Sequence, residues 1–317
     1  MIDKFYRRAI QMIREEKGVW NHILRILLEF RDEATSRVFK YFRSNESKTK
    51  NLNKNIQTLL EDKKSKVSKE LMTQLRLVAE EESKFQKGIF DTESLRNYPR
   101  TLKKVMGNSI SESGTNWLNK IFNPVKKLIR QTIQYSISQG DNLDKSIDRI
   151  FGKDLPKELK IGNWSGNDFQ GGTLDRMRAK LRSLVTTCYY EMVSKVRQFA
   201  YKKSGRVTVL RSVAVLDDRT TDTCKRYDGL LFSLDLRPID HKLPYLPIPR
   251  HWNCRSQYIP DSIGGKKMRS ITFKNWFNKL SEEIQDTLLT KRGGDIYRSQ
   301  GTDLLSLFKR LTPRYLG

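Results

Sequence analysis

Gly205-Arg206-Val207-Thr208-Val209-Leu210-Arg211-Ser212-Val213-Ala214-Val215-Leu216 is the stretch that separates an all-helical reading of this chain from a mixed one. Val207, Val209, Arg211, Val213 and Val215 alternate with Thr208, Leu210, Ser212, Ala214 and Leu216. A period of two, rich in β-branched residues, reads as a strand, because alternate side chains stand on opposite faces of a pleated surface that suits a branched Cβ. Asp228-Gly229 favours a tight turn with positive φ, and Leu230 to Leu234 can return as a second strand. The expected sheet is therefore small and antiparallel, centred on 206–216 with a hairpin partner near 230–234. Pro238, Pro244, Pro247 and Pro249 cannot donate to a ladder, so 238–250 reads as an irregular arm.

Upstream the period is helical. Ile10, Ile13, Trp20, Ile23, Leu24, Leu27, Leu28 and Phe30 recur at spacings of three and four, so 1–45 reads as a helix or two. Ser44-Asn45-Glu46-Ser47 reads as a break. Leu52, Ile56, Leu59, Leu60, Val67, Leu71, Leu75 and Val78 form a second stripe over 50–90, with Lys and Glu on the other faces; an antiparallel hairpin of long helices is one consequence. Asn108 to Thr115 reads as a polar joint, followed by a helix from Trp117 to Ser138 that stops at Gly140. Asp144 to Phe151 fits a short helix. Gly162, Gly166, Gly171 and Gly172 make 152–172 a loop and a domain joint. Thr173 then caps a long helix to about Lys203. Near the end, Phe273 to Thr290 and Leu304 to Leu311 read as helices. The fold class expected is α+β: a mainly helical N-terminal half, then a C-terminal domain with a long helix and a small antiparallel sheet. The boundaries expected are a helical arm at 1–110, a helical connector and Gly-rich joint at 111–172, a domain at 173–301 and a tail at 302–317.

The chain has 317 residues and a net charge of +25. No apolar run approaches the roughly 18 residues of a membrane span. Met1 to Arg8 lacks the order of a signal peptide, so the expectation is a protein made and kept in a cytoplasm. The positive charge admits two readings: a well-solvated lysine-rich surface, or work beside a polyanion through sequence-independent phosphate contacts. It is spread along the chain, at Arg7-Arg8, Lys63-Lys64, Lys126-Lys127, Lys202-Lys203 and Lys266-Lys267, and it singles out no DNA-binding residues.

Two blocks carry the chemistry. The first runs Asp217-Asp218-Arg219-Thr220-Thr221-Asp222-Thr223-Cys224-Lys225-Arg226-Tyr227-Asp228-Gly229; the second is Pro249-Arg250-His251-Trp252-Asn253-Cys254-Arg255-Ser256. Cys224, His251 and Cys254 are candidate zinc ligands, since zinc favours Cys and His in tetrahedral sites, with Asp217, Asp222 or Asp228 as a candidate fourth. The competing reading is a packed corner with two cysteines buried as small hydrophobes and His251 bonded to a loop carbonyl. A disulfide is disfavoured in a reducing compartment. Asp217, Asp218, Asp222, Asp228 and Asp235 could instead bind Mg²⁺ for nuclease chemistry, but a charged turn is the commoner origin of such a run. No third group that would orient a Cys–His dyad is evident, so the expectation is a protein that is not an enzyme.

As a set, the blocks resemble the signature of the phage head-morphogenesis family, the Mu F-like minor head proteins. That signature is Asp-x-Arg-Thr, a Cys, Asp-Gly, a proline-rich arm and His-x-x-Cys-Arg. Asp217, Arg219, Thr220, Cys224, Asp228 and Gly229 fit its first half; Pro249, His251, Asn253, Cys254 and Arg255 fit its second. Ser256 stands where the family often has a further cysteine, which removes one potential ligand. Upstream, Arg182 and Thr187 match the family's Arg-x-x-x-x-Thr helix, although Cys188 follows where a glutamate is usual. Downstream, Phe273, Trp276, Tyr297 and Gly301 resemble its closing segment. The resemblance covers about 140–301 and makes 173–301 the head-morphogenesis domain.

The resemblance implies a minor structural protein of a tailed-phage head, present in several copies. It would sit at the portal vertex or shell interior and act in head assembly and genome packaging or delivery. The implied partners are a portal protein, a major capsid or scaffolding protein and double-stranded DNA bound without sequence preference; no membrane is implied. The implied location is the virion head, assembled in the host cytoplasm. The motif residues would define the fold, with Arg219 and Arg255 bracing turns through carboxylates such as Asp217 or Asp228. The rival readings are a DNA-binding packaging or ejection protein and a metal-dependent nuclease-like effector.

Overall fold

The computed structural model describes residues 2–43, 49–90, 98–151, 172–214, 221–267, 277–289 and 291–300. The protein is α+β, with a mainly helical N-terminal half. Its helices are α1 (Ile2–Arg43), α2 (Thr49–Phe90), α3 (Tyr98–Ser138), α4 (Leu143–Phe151) and α5 (Gly172–Ser204). After α5 come β1 (Val209–Val213), α6 (Asp222–Tyr227), β2 (Leu231–Ser233), β3 (Pro238–Ile239) and β4 (Gln257–Pro260). The described chain closes with β5 (Ser262–Ile263), β6 (Lys266–Lys267), α7 (Glu282–Leu289) and α8 (Lys291–Gln300). Two compact units result: one of Glu15–Lys203 with Ile248–Arg255, the other of Met1–Arg14, Ser204–Pro247 and Ser256–Gly317.

In the first unit the helices follow from their stripes. Ile23, Leu27, Phe30, Ala34 and Val38 of α1 are buried, as are Leu52, Ile56, Leu59, Val67, Leu71, Leu75 and Val78 of α2. Burying such side chains contributes on the order of 1.5–3 kcal/mol each and is the main support of long amphipathic helices. Polar cross-links set the register. His22 meets Glu70, Lys63 meets Glu29 and Glu33, and Arg37 donates to the carbonyl of Asn55, so α2 numbers fall as α1 numbers rise. The two helices are the antiparallel hairpin expected. Glu82 of α2 meets Arg197 of α5 at 2.7 Å, with both side chains almost wholly buried. Ile2–Arg43 form one helix, not two. The polar joint expected at 108–115 is absent, because α3 runs unbroken through it. Low-propensity residues are only a weak prior against a helix held by its neighbours.

In the second unit a four-stranded antiparallel sheet has the order β3-β2-β1-β4. Val209, Leu210 and Arg211 lie opposite Ser233, Phe232 and Leu231; on the other side Leu210 to Val213 lie opposite Pro260 to Gln257. Phe232 is the hub of an aromatic core: it stacks on Tyr227 and meets His241, Tyr245 and Tyr258 edge-on. The expected arm at 238–250 is irregular except at its start, where Pro238 and Ile239 pair with β2. Proline is tolerated there because β3 is an edge strand. Of the helix expected at 273–290, the described residues form α7 only from Glu282, after a turn at 278–281, and α8 follows it. The segments 152–171, 268–276 and 301–317, including the helix expected at 304–311, lie outside the described residues. Among the described residues, no helix is long and apolar enough to cross a membrane.

Candidate metal centre

The first block is positioned by α6 and the turn after it. Thr221 caps α6, its Oγ1 accepting the N–H of Cys224 at 3.4 Å, as an N-cap threonine does for a donor that has no partner inside the helix. Cys224 is buried. At the far end Asp228 has φ −65° and ψ 131°, Gly229 has φ 79°, and Leu230 N donates to the Tyr227 carbonyl. That is a type II turn, in which glycine supplies the positive φ; it is the tight turn expected at Asp-Gly, and it closes α6 just before β2. Gly229 N then donates to the Ser212 carbonyl at 2.8 Å, and Asp228 Oδ1 accepts from Ala214 N at 2.8 Å. Both bonds tie the turn to β1 and the residue after it.

The second block is a tight loop. The Ile248–Pro249 peptide is cis, Asn253 is left-handed at φ 62°, and Cys254 N donates to the His251 carbonyl. Asparagine tolerates that conformation better than most side chains. Asn253 N donates to Thr187 Oγ1 of α5 at 2.9 Å. Cys254 is fully buried. Three residues on, Gln257 begins β4 opposite Val213.

The sulfurs of Cys224 and Cys254 and a ring nitrogen of His251 lie within 4.8 Å of one another. Neither cysteine is in a disulfide. His251 Nδ1 lies 2.7 Å from the Trp252 carbonyl. A carbonyl only accepts, so Nδ1 is the donor in this bond. Two thiols and one imidazole are ligand types that zinc favours, and they make a possible Cys-His-Cys metal-binding arrangement, three of the four positions of a tetrahedral site. Among the described residues no carboxylate joins the trio. Asp222 is almost wholly exposed and faces Lys225, and Asp228 is turned to the Ala214 N–H, so these two of the three candidate fourth ligands are not in place.

Asp217, Arg219 and Thr220 lie outside the described residues. The charge of Arg255 acts on Glu16, whose carboxyl burial pushes above its ordinary value while Arg182, a bond from Thr186 and Arg255 pull it down. The bracing pair in the sheet is Arg211 with Asp261, Nε to Oδ1 at 2.8 Å; Arg211 also donates to the Gly229 carbonyl. Sequence reading missed this pair, since Arg211 sits among valines and Asp261 follows a proline. It also missed Glu16, which receives Arg182 and Thr186 from α5. Thr221 was readable as a cap before a short polar helix. His241 is held by the backbone at both ring nitrogens, by the Leu231 carbonyl and the Leu243 N–H. Cys188 is buried in α5, where desolvation and then Glu191 push its thiol far up.

No protein-family profile, curated protein or solved structure matches this chain.

Proposed function

We propose that this chain is a minor structural protein of a tailed-phage head, located at the portal vertex or shell interior. It acts there in head assembly and genome packaging or delivery. One observation carries the reading: two blocks about 25 residues apart, written in the order Cys, Asp-Gly, proline-rich arm and His-x-x-Cys-Arg, supply Cys224, His251 and Cys254, whose ligand atoms lie within 4.8 Å of one another. Asp228 and the Asn253 backbone are engaged in internal bonds, to Ala214 N and to Thr187 Oγ1. That favours a scaffold over a catalytic centre. The buried, protonated state of the Cys188 thiol favours it too.

In this reading Cys224, His251 and Cys254 hold a structural zinc, which would fix α6 to the loop at 249–255 without taking part in chemistry. Residues 1–110 are the partner-binding arm for portal, capsid or scaffolding protein. The charge of +25 suits a shell filled with DNA.

Mass spectrometry of purified particles and of portal-containing subassemblies tests the reading. The expected result is enrichment with the portal at a few to a few tens of copies. Absence from particles refutes it.

A further inference from the structure

The exposed face of α3 differs from that of every helix before it. Asn116, Lys120, Asn123, Lys127, Arg130 and Gln134 recur at steps of four and three and are all exposed. One helix face therefore carries them, while Leu118, Ile121, Phe122, Val125, Leu128 and Ile129 are buried beneath. From Ser113 to Gly140 the sequence holds four cations and no Asp or Glu. Lys126 is neutralised across the bundle by Glu61 of α2. Lys120, Lys127 and Arg130 make no ion pair among the described residues. The exposed faces of α1 and α2, by contrast, interleave acids with their cations: Glu29, Asp32 and Glu33 on α1, and Asp62, Glu80 and Glu81 on α2.

We infer that this face of α3 binds the phosphate backbone of duplex nucleic acid, without reading its sequence. Lys120 and Arg130 are about 15 Å apart along the axis at 1.5 Å per residue, with Lys127 between them, so a single helix presents three cations to successive phosphates. Asn116, Asn123 and Gln134 add uncharged donors of the kind that bond phosphate oxygens. A lipid surface is the other common polyanion. A helix lying on a membrane, however, buries an apolar face in it, and the exposed row of α3 contains no apolar residue. The polarity of the row therefore selects nucleic acid. This inference rests on charge and exposure alone, and it stands or falls separately from the head-protein reading.

The test is fluorescence anisotropy of the full-length protein with labelled duplexes of about 30 base pairs, in two unrelated sequences, over a range of salt. Each phosphate contact contributes about 0.9 to the slope of log affinity against log salt. Lys120→Ala/Lys127→Ala/Arg130→Ala is expected to lower the slope by about 2.7 and to weaken binding at least tenfold at low salt, equally for both sequences. A control triple on α2, Lys54→Ala/Lys69→Ala/Arg76→Ala, removes the same charge and should change the slope by less than half as much; circular dichroism verifies that both triples fold. An unchanged slope in the α3 triple, or an equal loss in the control, overturns the inference. So does tighter binding to phosphatidylserine vesicles than to DNA that the α3 triple abolishes.

Discussion

The hydroxyl of Thr187 accepts the backbone N–H of Asn253 at 2.9 Å while donating to the carbonyl of Ser183 one turn earlier in its own helix. A single threonine thus connects the long helix α5 to the loop that presents His251 and Cys254. The bond falls at the residue whose left-handed backbone bends the chain toward Cys254. A hydroxyl can serve because it both donates and accepts; a valine of the same shape could do neither.

Thr187→Val should therefore destabilise the protein by about 1 kcal/mol, the usual net worth of one such bond. Thr187→Ser should keep most of that stability. Urea unfolding would register the change as a lower midpoint with an unaltered slope. Identical midpoints for Thr187→Val and the parent protein would mean that the bond contributes nothing.

If the corner formed by Cys224, His251 and Cys254 is a zinc site, purified full-length protein should carry about one zinc per chain. Chelation should lower its melting temperature. Cys224→Ser and Cys254→Ser should each lose the metal, while Asp222→Ala, a change at an exposed side chain, should retain it. Elemental analysis by mass spectrometry gives the stoichiometry. Cysteine variants that retain full zinc would rule out this trio.

The first two strands were legible because β1 alternates and Asp228-Gly229 announces a turn. β4 was not. All four of its residues are buried, so it shows no alternation, and Pro260 reads as a breaker unless the strand is known to lie at the sheet's edge. Likewise Lys63 and Glu82 look like members of a solvated charge stripe. Only their partners on other helices, Glu29 and Glu33 for one and Arg197 for the other, show that they point inward. The metal trio was legible as residue types. Its closeness is not encoded by any local pattern, since Cys224 and His251 stand far apart along the chain.

Glu82 and Arg197 offer a sharper test of buried charge. Glu82 Oε1 also accepts from Gln86 Nε2 at 2.7 Å, so the carboxylate is held from two sides. Glu82→Leu alone takes away the carboxylate that the Arg197 guanidinium meets inside the bundle, and should cost about 3–5 kcal/mol. Glu82→Leu/Arg197→Met removes both charges and should recover most of that loss, since a packed apolar pair often matches a buried ion pair. A double-mutant cycle in urea measures the coupling. Additive losses would show that the two charges do not interact.

Asp141 sits in the turn between α3 and α4 and gathers both helices. Ser136 Oγ donates to its Oδ2 at 2.9 Å, Arg149 Nε lies 2.6 Å from Oδ2, and Lys145 Nζ lies 3.2 Å from Oδ1. Desolvation of this buried carboxylate is the largest single effect and would raise its pKa. The bonds from Ser136 and Lys145 and the charges of Arg149 and Lys145 together outweigh it, and hold the group below its ordinary value of 3.8. An acid whose pKa is depressed by folding stabilises the fold fully above its unfolded value and loses that contribution as pH falls through its folded value. Asp141→Asn should therefore be less stable than the parent by about 1–3 kcal/mol at neutral pH, where a charged acceptor is lost. The gap should close as the solution is acidified below pH 3.8. Thermal melts of both proteins from neutral to acid pH measure it. A gap that stays constant over the whole range would assign the effect to altered packing instead of to the charge.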